Sequence, residues 1–245
     1  MMYTNKLALI DADIAYHRAA FSCESEFTFD DQRIRTAESA DVADLFHRIL
    51  SSTLSHLKTD RFILCWSSNT NFRHDVLSSY KKNRENVRRP QVDIEVKSCF
   101  QHRYPSILVS KLEADDIMGL LSGPDNVIVS DDKDLLTVPG LHYIPRKPEL
   151  GVFEVSPEEE QYKWFKQILM GDRIDGYSGI PGIGDKKSDK ILDTNGVSWL
   201  TIVNAYQKAN LTENDALITA RVSRILHPGE WDYTNNEPKL WTPTG

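Results

Sequence analysis

The first apolar run of the chain is LALID at residues 7–11, four hydrophobic side chains followed by a carboxylate. Consecutive apolar residues without alternation are typical of a strand that is buried on both faces of a sheet. A similar run, FILCW at 62–66, follows a segment over 41–57 whose apolar residues recur at helical spacing. The order strand, helix, strand favours a parallel sheet with helical connections.

The same alternation continues to about residue 155. Further strands are predicted at 107–109, 127–129 and 141–144, with a short helix over 113–121 closed by Gly123-Pro124. The polar, acidic segment 22–40 is predicted to be a loop. We therefore expect residues 1–155 to form a doubly wound α/β domain.

The pattern changes after Ser156-Pro157. A serine cap, a proline at the first helical position and three glutamates predict the start of a helix. Beyond it the sequence predicts only helices and turns up to residue 226, including the glycine-rich turn GIPGIG at 179–184. Residues 156–245 are thus expected to form a helical region. The tail from His227 is expected to pack on the body without forming an element.

Composition excludes several classes of protein. The chain has 245 residues, 40% hydrophobic and 27% charged, with a net charge of −7, which argues against disorder and against coating nucleic acid by bulk charge. Three cysteines without a CxxC pair indicate neither a disulfide framework nor a zinc site. No apolar run is long enough to span a membrane. We expect a monomer in the cytoplasm.

The acidic residues fall where the predicted strands end. In an open α/β sheet, ligands bind at the carboxyl ends of the strands. The acids that follow strands, or that begin the helical region, are Asp11, Glu113, Asp115, Asp116, Asp132, Asp134, Asp172 and Asp175. Single acids at helix starts are common caps, but a group of them on one edge is not explained in that way.

Electrostatics favours a metal site. Two carboxylates about 4 Å apart repel by roughly 4 kcal/mol at an effective dielectric near 20, so several on one edge require protons or cations. Oxygen ligands without Cys or His suit Mg²⁺ or Mn²⁺. Two such ions are the usual device for hydrolysing phosphodiesters. Setting these eight acids aside leaves 28 acidic against 29 basic residues, a net charge of +1.

One segment is basic. Between Arg73 and Arg89 there are six Lys or Arg residues and two acids, a local balance of +4 in an acidic chain. Such a segment would face the phosphates of a nucleic acid. The alternative is a solvated basic surface without function.

Five ordered motifs together resemble the flap endonuclease or 5′-nuclease family, and most closely its free-standing bacteriophage exonucleases. They are LIDAD (9–13), NFRHDVLSSYKKNR (71–84), LEADDIMG (112–119), VSDDKDL (129–135) and GDRIDGYSGIPGIGDKKSDKIL (171–192). The resemblance implies a PIN-like domain with a helical arch at about 71–100. A helix-three-turn-helix region, with a DNA-binding hairpin at about 171–192, would follow.

The resemblance also implies roles for the acids. One divalent metal ion would lie near Asp11, Glu113, Asp115 and Asp116, and the other near Asp132, Asp134, Asp172 and Asp175. The ions would be Mg²⁺ or Mn²⁺.

Arch and hairpin residues match the family in the same way. Lys81 and Arg84 would neutralise charge on the scissile phosphate, Tyr80 would stack on an unpaired base, and Arg73 would contact DNA. The DNA-binding residues of the hairpin would be Gly182, Gly184, Lys186 and Lys187. Family members hold K⁺ in this hairpin through backbone carbonyls, which implies a site at Gly179, Ile180 and Ile183.

The chain departs from the family at one position. A metal-binding aspartate is expected just after the second strand, but residues 66–71 are WSSNTN. Phage-type spacing places Ser68 there, and polymerase-type spacing places Trp66. Because a hydroxyl is a poor ligand for a hard cation, we expect a weakly held first metal and slow or absent cleavage.

The sequence thus predicts a metal-dependent, structure-specific 5′ nuclease. Its substrate would be DNA with a 5′ end, flap or junction, and its role primer or flap removal in replication, or recombination. Two alternatives stay open: a DNA-structure-binding protein without catalysis, and a PIN-like ribonuclease.

Overall fold

The protein is described by a computed structural model that covers residues 5–84, 87–92 and 94–243, with residues 94 and 95 described in backbone only. The strands are β1 (Leu7–Asp11), β2 (Ser25–Phe29), β3 (Gln32–Thr36), β4 (Phe62–Trp66), β5 (Ser106–Leu108), β6 (Asn126–Val129), β7 (Gly140–Tyr143), β8 (Phe153–Val155), β9 (Gly171–Asp172), β10 (Tyr177–Ser178), β11 (Trp231–Asp232) and β12 (Glu237–Pro238). The helices are α1 (Ala12–Ser22), α2 (Ser39–Leu57), α3 (Arg73–Val76), α4 (Ile94–Arg103), α5 (Ala114–Leu120), α6 (Pro157–Met170), α7 (Asp185–Asn195), α8 (Trp199–Lys208) and α9 (Glu213–Ser223). Short 3-10 turns cover Lys82–Arg84, Lys133–Thr137 and Pro148–Leu150.

The central sheet has the strand order β5-β4-β1-β6-β7-β8. The first five of these strands run parallel, and β8 is antiparallel to β7 at the edge. The predicted strands and the mostly parallel sheet are therefore confirmed. The three-residue strand β8 is not predicted from the sequence, because a run this short carries no periodic signal.

Both faces of the sheet are covered, which explains the unalternating strands. In β1, Ala8 and Ile10 face a core formed with α1, α2 and α4, whereas Leu9 faces a second core formed with α5 and the segment around Leu226. Ala8 and Leu9 are fully buried. Because the order of strands reverses beside β1, the acids that end β1 and follow β6 lie at one crevice.

The prediction of a loop over residues 22–40 is wrong. This segment forms the antiparallel hairpin β2–β3, turned by Asp30 and Asp31 at φ 49° and 59°. All five residues of β2 are exposed, including Phe27 and Phe29. With neither face buried, the hairpin lacks the alternation from which strands are recognised.

The helical region begins as predicted, because Ser156 and Glu159 form a capping box at the start of α6. The ladder β9–β10 corrects the expectation of helices and turns alone up to residue 226. The ladder β11–β12 corrects the expectation that the tail from His227 forms no element. Ile225, Leu226 and Trp231 return to pack on the core beneath the sheet. Because residues of the helical region share a core with the sheet, the domain boundary between residues 155 and 156 stays a prediction. None of the helices in the described part of the chain is long and apolar enough to cross a membrane.

Gly179 allows β10 to cross closely over the start of β9. A Cβ atom at Gly179 would lie 2.4 Å from the backbone nitrogen of Gly171 and 2.5 Å from the carbonyl oxygen of Leu169. We expect Gly179→Ala to lower the free energy of unfolding by about 1–3 kcal/mol, measured by urea denaturation, because backbone must shift. Gly184→Ala is the matched control, since no described atom lies within 4 Å of the position that its Cβ would take and its φ is −121°. Equal stability of the two variants would contradict this packing.

Glu160 on α6 provides a pH-dependent contribution to stability. Its Oε1 atom makes no hydrogen bond within the described residues, although Arg224 Nη1 lies 3.6 Å away. Burial raises the pKa of Glu160 to about 7, with Arg224 acting against the shift and Glu230 adding to it. His227 Nε2, at 4.0 Å, belongs to a ring whose pKa burial lowers to about 4.

The folded state therefore binds a proton more tightly at Glu160 than the unfolded chain does. Stability falls as the pH rises through the interval between the ordinary pKa near 4.5 and about 7. Glu160→Gln lacks this loss. Its free energy of unfolding, measured by thermal denaturation and compared with that of the parent, should therefore rise by on the order of 1–3 kcal/mol between pH 5 and pH 8. A difference that does not change with pH would refute this assignment.

Candidate metal centre and active site

Seven of the eight predicted acids lie around one cavity of about 340 Å³ at the carboxyl edge of the sheet. β1 delivers Asp11, the turn after β6 delivers Asp132 and Asp134, and the β9–β10 turn delivers Asp172 and Asp175. The start of α5 adds Glu113 and Asp115. We call this space the carboxylate cavity.

Local hydrogen bonds fix the acids in place. Asp11 Oδ1 accepts a hydrogen bond from the Ile14 amide at 3.1 Å, and Oδ2 accepts one from the Ser130 hydroxyl at 2.7 Å. Asp132 caps the following 3-10 turn by accepting from the Asp134 amide, and Asp172 caps its own turn by accepting from the Ile174 amide. These three carboxylates are therefore held largely by the segments that carry them.

Burial and mutual repulsion disfavour the ionised acids. Burial is the main cause that raises the pKa of Asp11 to about 7; the charges of Asp13 and Asp132 act in the same direction, and the hydrogen bonds from Ile14 and Ser130 act against it. Burial also raises the pKa of Asp115, with added repulsion from Asp11 and Asp132. Positive charge in the cavity would therefore offset the repulsion among Asp11, Asp115 and Asp132.

A second group of acids interacts in the same way. Burial raises the pKa of Asp134 to about 6, and Asp132, Asp172 and Asp175 act in the same direction. Asp132 thus couples the two groups, one around Asp11 and Asp115 and one around Asp134 and Asp172.

Lys81 and Arg84 supply positive charge at the rim. Lys81 Nζ donates to Glu113 Oε1 and lies 3.6 Å from Asp175 Oδ2, and Arg84 donates to Asp175 Oδ1. Burial would raise the pKa of Glu113, but Lys81 and Arg73 hold it at about 2. Lys81 has a left-handed backbone, φ 52°, with its amide donating to the Asp175 carbonyl at 2.8 Å.

The donor set fits hard divalent cations, since it consists of oxygen atoms with excess negative charge. As the side chains stand, no three His, Cys, Asp or Glu side chains of the described residues form a close-set group that could hold a metal ion. The acids surround the cavity, and Lys81 and Arg84 pair with two of them.

Asp116 does not face the carboxylate cavity, which corrects its expected role as a metal ligand. Its side chain is fully buried, and each oxygen accepts a hydrogen bond from Arg73 at 2.7 Å. Arg73 is 3% exposed and also donates to the carbonyls of Val222 and Arg224, so the expected contact with DNA is wrong as well. This ion pair joins α3, α5 and the end of α9.

Tyr80 is also buried, at 3% exposure, so its ring is not presented for base stacking as expected. Its hydroxyl reaches the carboxylate cavity and donates to Glu113 Oε2 at 2.9 Å. Tyr80 therefore positions Glu113. Residues 85, 86 and 93 of the predicted arch lie outside the described residues.

At the end of β4 the structure places Ser67 beside the carboxylate cavity, whereas Ser68 points to Thr70. Ser67 Oγ accepts from the Ala114 amide at 2.9 Å, and its own amide donates to Asp13 Oδ2 at 2.7 Å. Ser67, and not Ser68, therefore lines the carboxylate cavity, and which of the two takes the position of the family's aspartate stays a prediction.

Asp13 is not among the predicted site residues, although it lines the carboxylate cavity. An acid in the first turn of a helix is usual, so only its spacing of two residues from Asp11 could have indicated a role.

The glycine-rich turn connects β10 to α7. Gly182 and Gly184 are exposed in the turn, Lys186 is exposed in the first turn of α7, and Lys187 Nζ donates to the Gly182 carbonyl at 2.9 Å. The Ile180 carbonyl accepts from the Ile183 amide within the turn. A cation site at Gly179, Ile180 and Ile183 stays a prediction.

Comparison with known proteins identifies the family of this chain. The family described as 5′-3′ exonuclease, N-terminal resolvase-like domain matches residues 6–145, more than half of the chain. The chain belongs to this 5′-3′ exonuclease family. The exodeoxyribonuclease of Enterobacteria phage T3 is 27% identical over 221 residues, which covers 74% of this chain and 73% of the phage protein.

Solved structures share the fold of this chain. The T5 5′-exonuclease with divalent zinc ions bound has a TM-score of 0.62 at 16% identity, over 89% of each chain. The catalytic core of Rad2 in complex with DNA substrate has a TM-score of 0.54 at 17% identity, over 84% of this chain and 66% of that one. The fold is PIN-like, as the resemblance implied.

Proposed function

We propose that this protein is a metal-dependent, structure-specific 5′ nuclease that hydrolyses DNA phosphodiesters. The observation that carries the proposal is the carboxylate cavity, in which seven acids from separate segments converge beside Lys81 and Arg84. The T3 relative named exodeoxyribonuclease and the Rad2 structure with DNA substrate support DNA as the substrate. Primer or flap removal in replication, or recombination, is the corresponding biological role.

The acids would hold two divalent cations, Mg²⁺ or Mn²⁺. Asp11, Glu113 and Asp115 are candidates for one, and Asp134, Asp172 and Asp175 for the other, with Asp132 between them. When bound, two such ions activate the attacking water and neutralise the charge on the leaving oxygen. The zinc-bound T5 5′-exonuclease supports divalent metal use in this fold.

Lys81 and Arg84 would exchange partners when substrate binds. In the free protein they pair with Glu113 and Asp175, whose negative charge the metal ions would compensate. Their cationic groups can then turn to the phosphoryl oxygens and stabilise the charge that develops on them. Cleavage is expected to break the bond between the phosphorus atom and the 3′ oxygen, which leaves a 5′-phosphate on the remaining DNA.

The glycine-rich turn would bind the duplex. Gly182 and Gly184 let the backbone approach a phosphate, and the start of α7 offers amide donors beside Lys186 and Lys187. K⁺ held by backbone carbonyls of Gly179, Ile180 and Ile183 would fix the turn. The partner is DNA with a 5′ end, a flap or a junction.

The test is cleavage of a duplex with a 5′ flap, labelled at each end in turn, in Mg²⁺ and in Mn²⁺. Release of the 5′ label as a short product, with no cleavage in EDTA, is the expected result. Preferential degradation of RNA would favour the ribonuclease alternative. Binding of the flap duplex without cleavage in either metal would identify a DNA-structure-binding protein.

The position of Ser67 leads to a specific prediction about the affinity of the proposed metal site for Mg²⁺. A carboxylate at the end of β4 would add a strong ligand for a hard cation where the chain has a hydroxyl. We expect Ser67→Asp to lower the Mg²⁺ concentration needed for half-maximal cleavage by about tenfold. Ser68→Asp, one residue further from the carboxylate cavity, is the matched control with little effect. The reverse ranking would show that Ser68 takes the ligand position.

A further inference from the structure

A second cavity, of about 590 Å³, borders the carboxylate cavity, and Asp13 and Ser67 line both. The second cavity lies between the start of α1, the turn after β4 and α4. Its other polar lining residues include His17, Asn69, Arg89, Lys97, Ser98 and Gln101. We call it the Lys97 cavity.

The two cavities have opposite charge. Eight acids, Asp13 included, line the first cavity together with Lys81, Lys133, Arg73 and Arg84. Among the described lining residues of the Lys97 cavity, Lys97 and Arg89 outweigh the one acid Asp13. A polyanion that enters the first cavity with metal ions would therefore find a second attractive position directly beside it.

Contacts with Asp13 and Trp66 fix the side chain of Lys97 at the wall of the Lys97 cavity. Its Nζ atom donates to Asp13 Oδ1 at 2.6 Å and lies 5.2 Å from the centroid of the buried Trp66 ring. The side chain keeps 25% exposure, so it remains accessible from the cavity. The hydroxyl of Ser98 and the amides of Asn69 and Gln101 are further donors. This combination of cations and neutral donors is suited to a phosphate group.

We propose that the Lys97 cavity binds the phosphate of the nucleotide on the 5′ side of the cleaved bond. The proposal rests on the proposed nuclease function, because the carboxylate cavity fixes the position of that bond. The phosphate has two possible sources: the terminal monoester of a DNA end, or an internal diester of a longer flap. In both cases Lys97 and Arg89 determine which 5′ structures are accepted.

The test measures DNA binding by fluorescence anisotropy with Ca²⁺ in place of Mg²⁺. One pair of duplexes carries a 5′-phosphate or a 5′-hydroxyl at the end. The other pair carries a 5′ flap with either a normal or a neutral methylphosphonate linkage next to the junction. The variants are Lys97→Met and Arg89→Gln, and the control is Arg103→Gln on the same helix, since Arg103 is exposed and lies outside the cavity.

In the parent protein, the charged member of at least one pair should bind about tenfold more tightly, as expected for a charge-assisted hydrogen bond. Lys97→Met and Arg89→Gln should reduce that ratio toward one, whereas Arg103→Gln should preserve it. A change in the first pair identifies the terminal phosphate, and a change in the second identifies the internal one.

Equal binding of both members of both pairs by the parent would overturn the proposal, as would a preference that neither variant changes. Cleavage of the flap duplex in Mg²⁺ is recorded separately. A parent that cuts DNA without these preferences refutes the Lys97 site alone. A parent that shows the preferences and never cuts refutes the nuclease function alone.

Discussion

Asp116→Asn is expected to lower the free energy of unfolding by about 3 kcal/mol, because the buried guanidinium of Arg73 loses the closer of its two carboxylate partners and keeps only Glu113 at 3.3 Å. Arg73 is 3% exposed and Asp116 is fully buried, so water cannot replace the lost charge. Urea denaturation measures the effect. Arg84→Gln is the control, since the Arg84 side chain is 44% exposed and its ion pair should contribute at most about 1 kcal/mol.

The same variant distinguishes a structural role from metal binding. If Asp116 were a metal ligand, Asp116→Asn would weaken Mg²⁺ binding and leave the stability of the metal-free protein nearly unchanged. The paired replacement Arg73→Met with Asp116→Leu should recover part of the lost stability, because apolar residues can replace a buried ion pair. Failure of the single variant to destabilise the metal-free protein would contradict the assignment.

Asp115→Asn is expected to reduce the rate of DNA cleavage by at least about a thousandfold. Asp115 lies in the carboxylate cavity, where Asp11, Asp132 and Glu113 repel it. Removing one of these charges should leave the metal-free protein at least as stable as the parent. Loss of activity without loss of stability is the pattern of a residue retained for function.

Single-turnover cleavage and urea denaturation measure the two effects. Asp131→Asn is the matched control, because Asp131 belongs to the same motif as Asp132 but accepts from the Arg146 amide outside the carboxylate cavity. Its rate should stay close to that of the parent. A cleavage rate for Asp115→Asn within tenfold of the parent would exclude Asp115 from the metal site.

The strands of the central sheet are predictable because they are buried on both faces. A continuous apolar run is the signal of such a strand, and it is present before Asp11 and in β4 and β6. The exposed hairpin β2–β3 lacks that signal, and the two-residue strand β9 is defined by its partner β10 across a turn. Pairing of this kind depends on tertiary contacts and not on local pattern.

The location of the carboxylate cavity is predictable from topology, because the carboxyl ends of parallel strands meet at one edge. The choice between neighbours is not. Asp115 and Asp116 are adjacent on α5 and so point in different directions, one into the cavity and one to Arg73. Ser67 and Ser68 differ in the same way within a turn. Only the packing of α5 against the sheet and α9 decides which residue of each pair faces the cavity.

The burial of Arg73 and Tyr80 shows the limit of a basic segment as a signal. Both belong to the stretch with local charge excess, yet the structure uses them to position Asp116 and Glu113. Lys81 and Arg84, from the same stretch, line the carboxylate cavity. Charge in sequence therefore indicates the segment that faces the cavity but not the residues that do so.

The number of divalent ions that the carboxylate cavity binds tests the proposed metal centre without DNA. Mn²⁺ titration by calorimetry, on the parent and on Asp115→Asn, measures that number. We predict two ions per chain for the parent, one of them weak because Ser67 stands in place of a carboxylate, and loss or weakening of one ion in the variant. No Mn²⁺ binding by the parent, or identical binding by the parent and Asp115→Asn, would contradict a metal centre at this cavity.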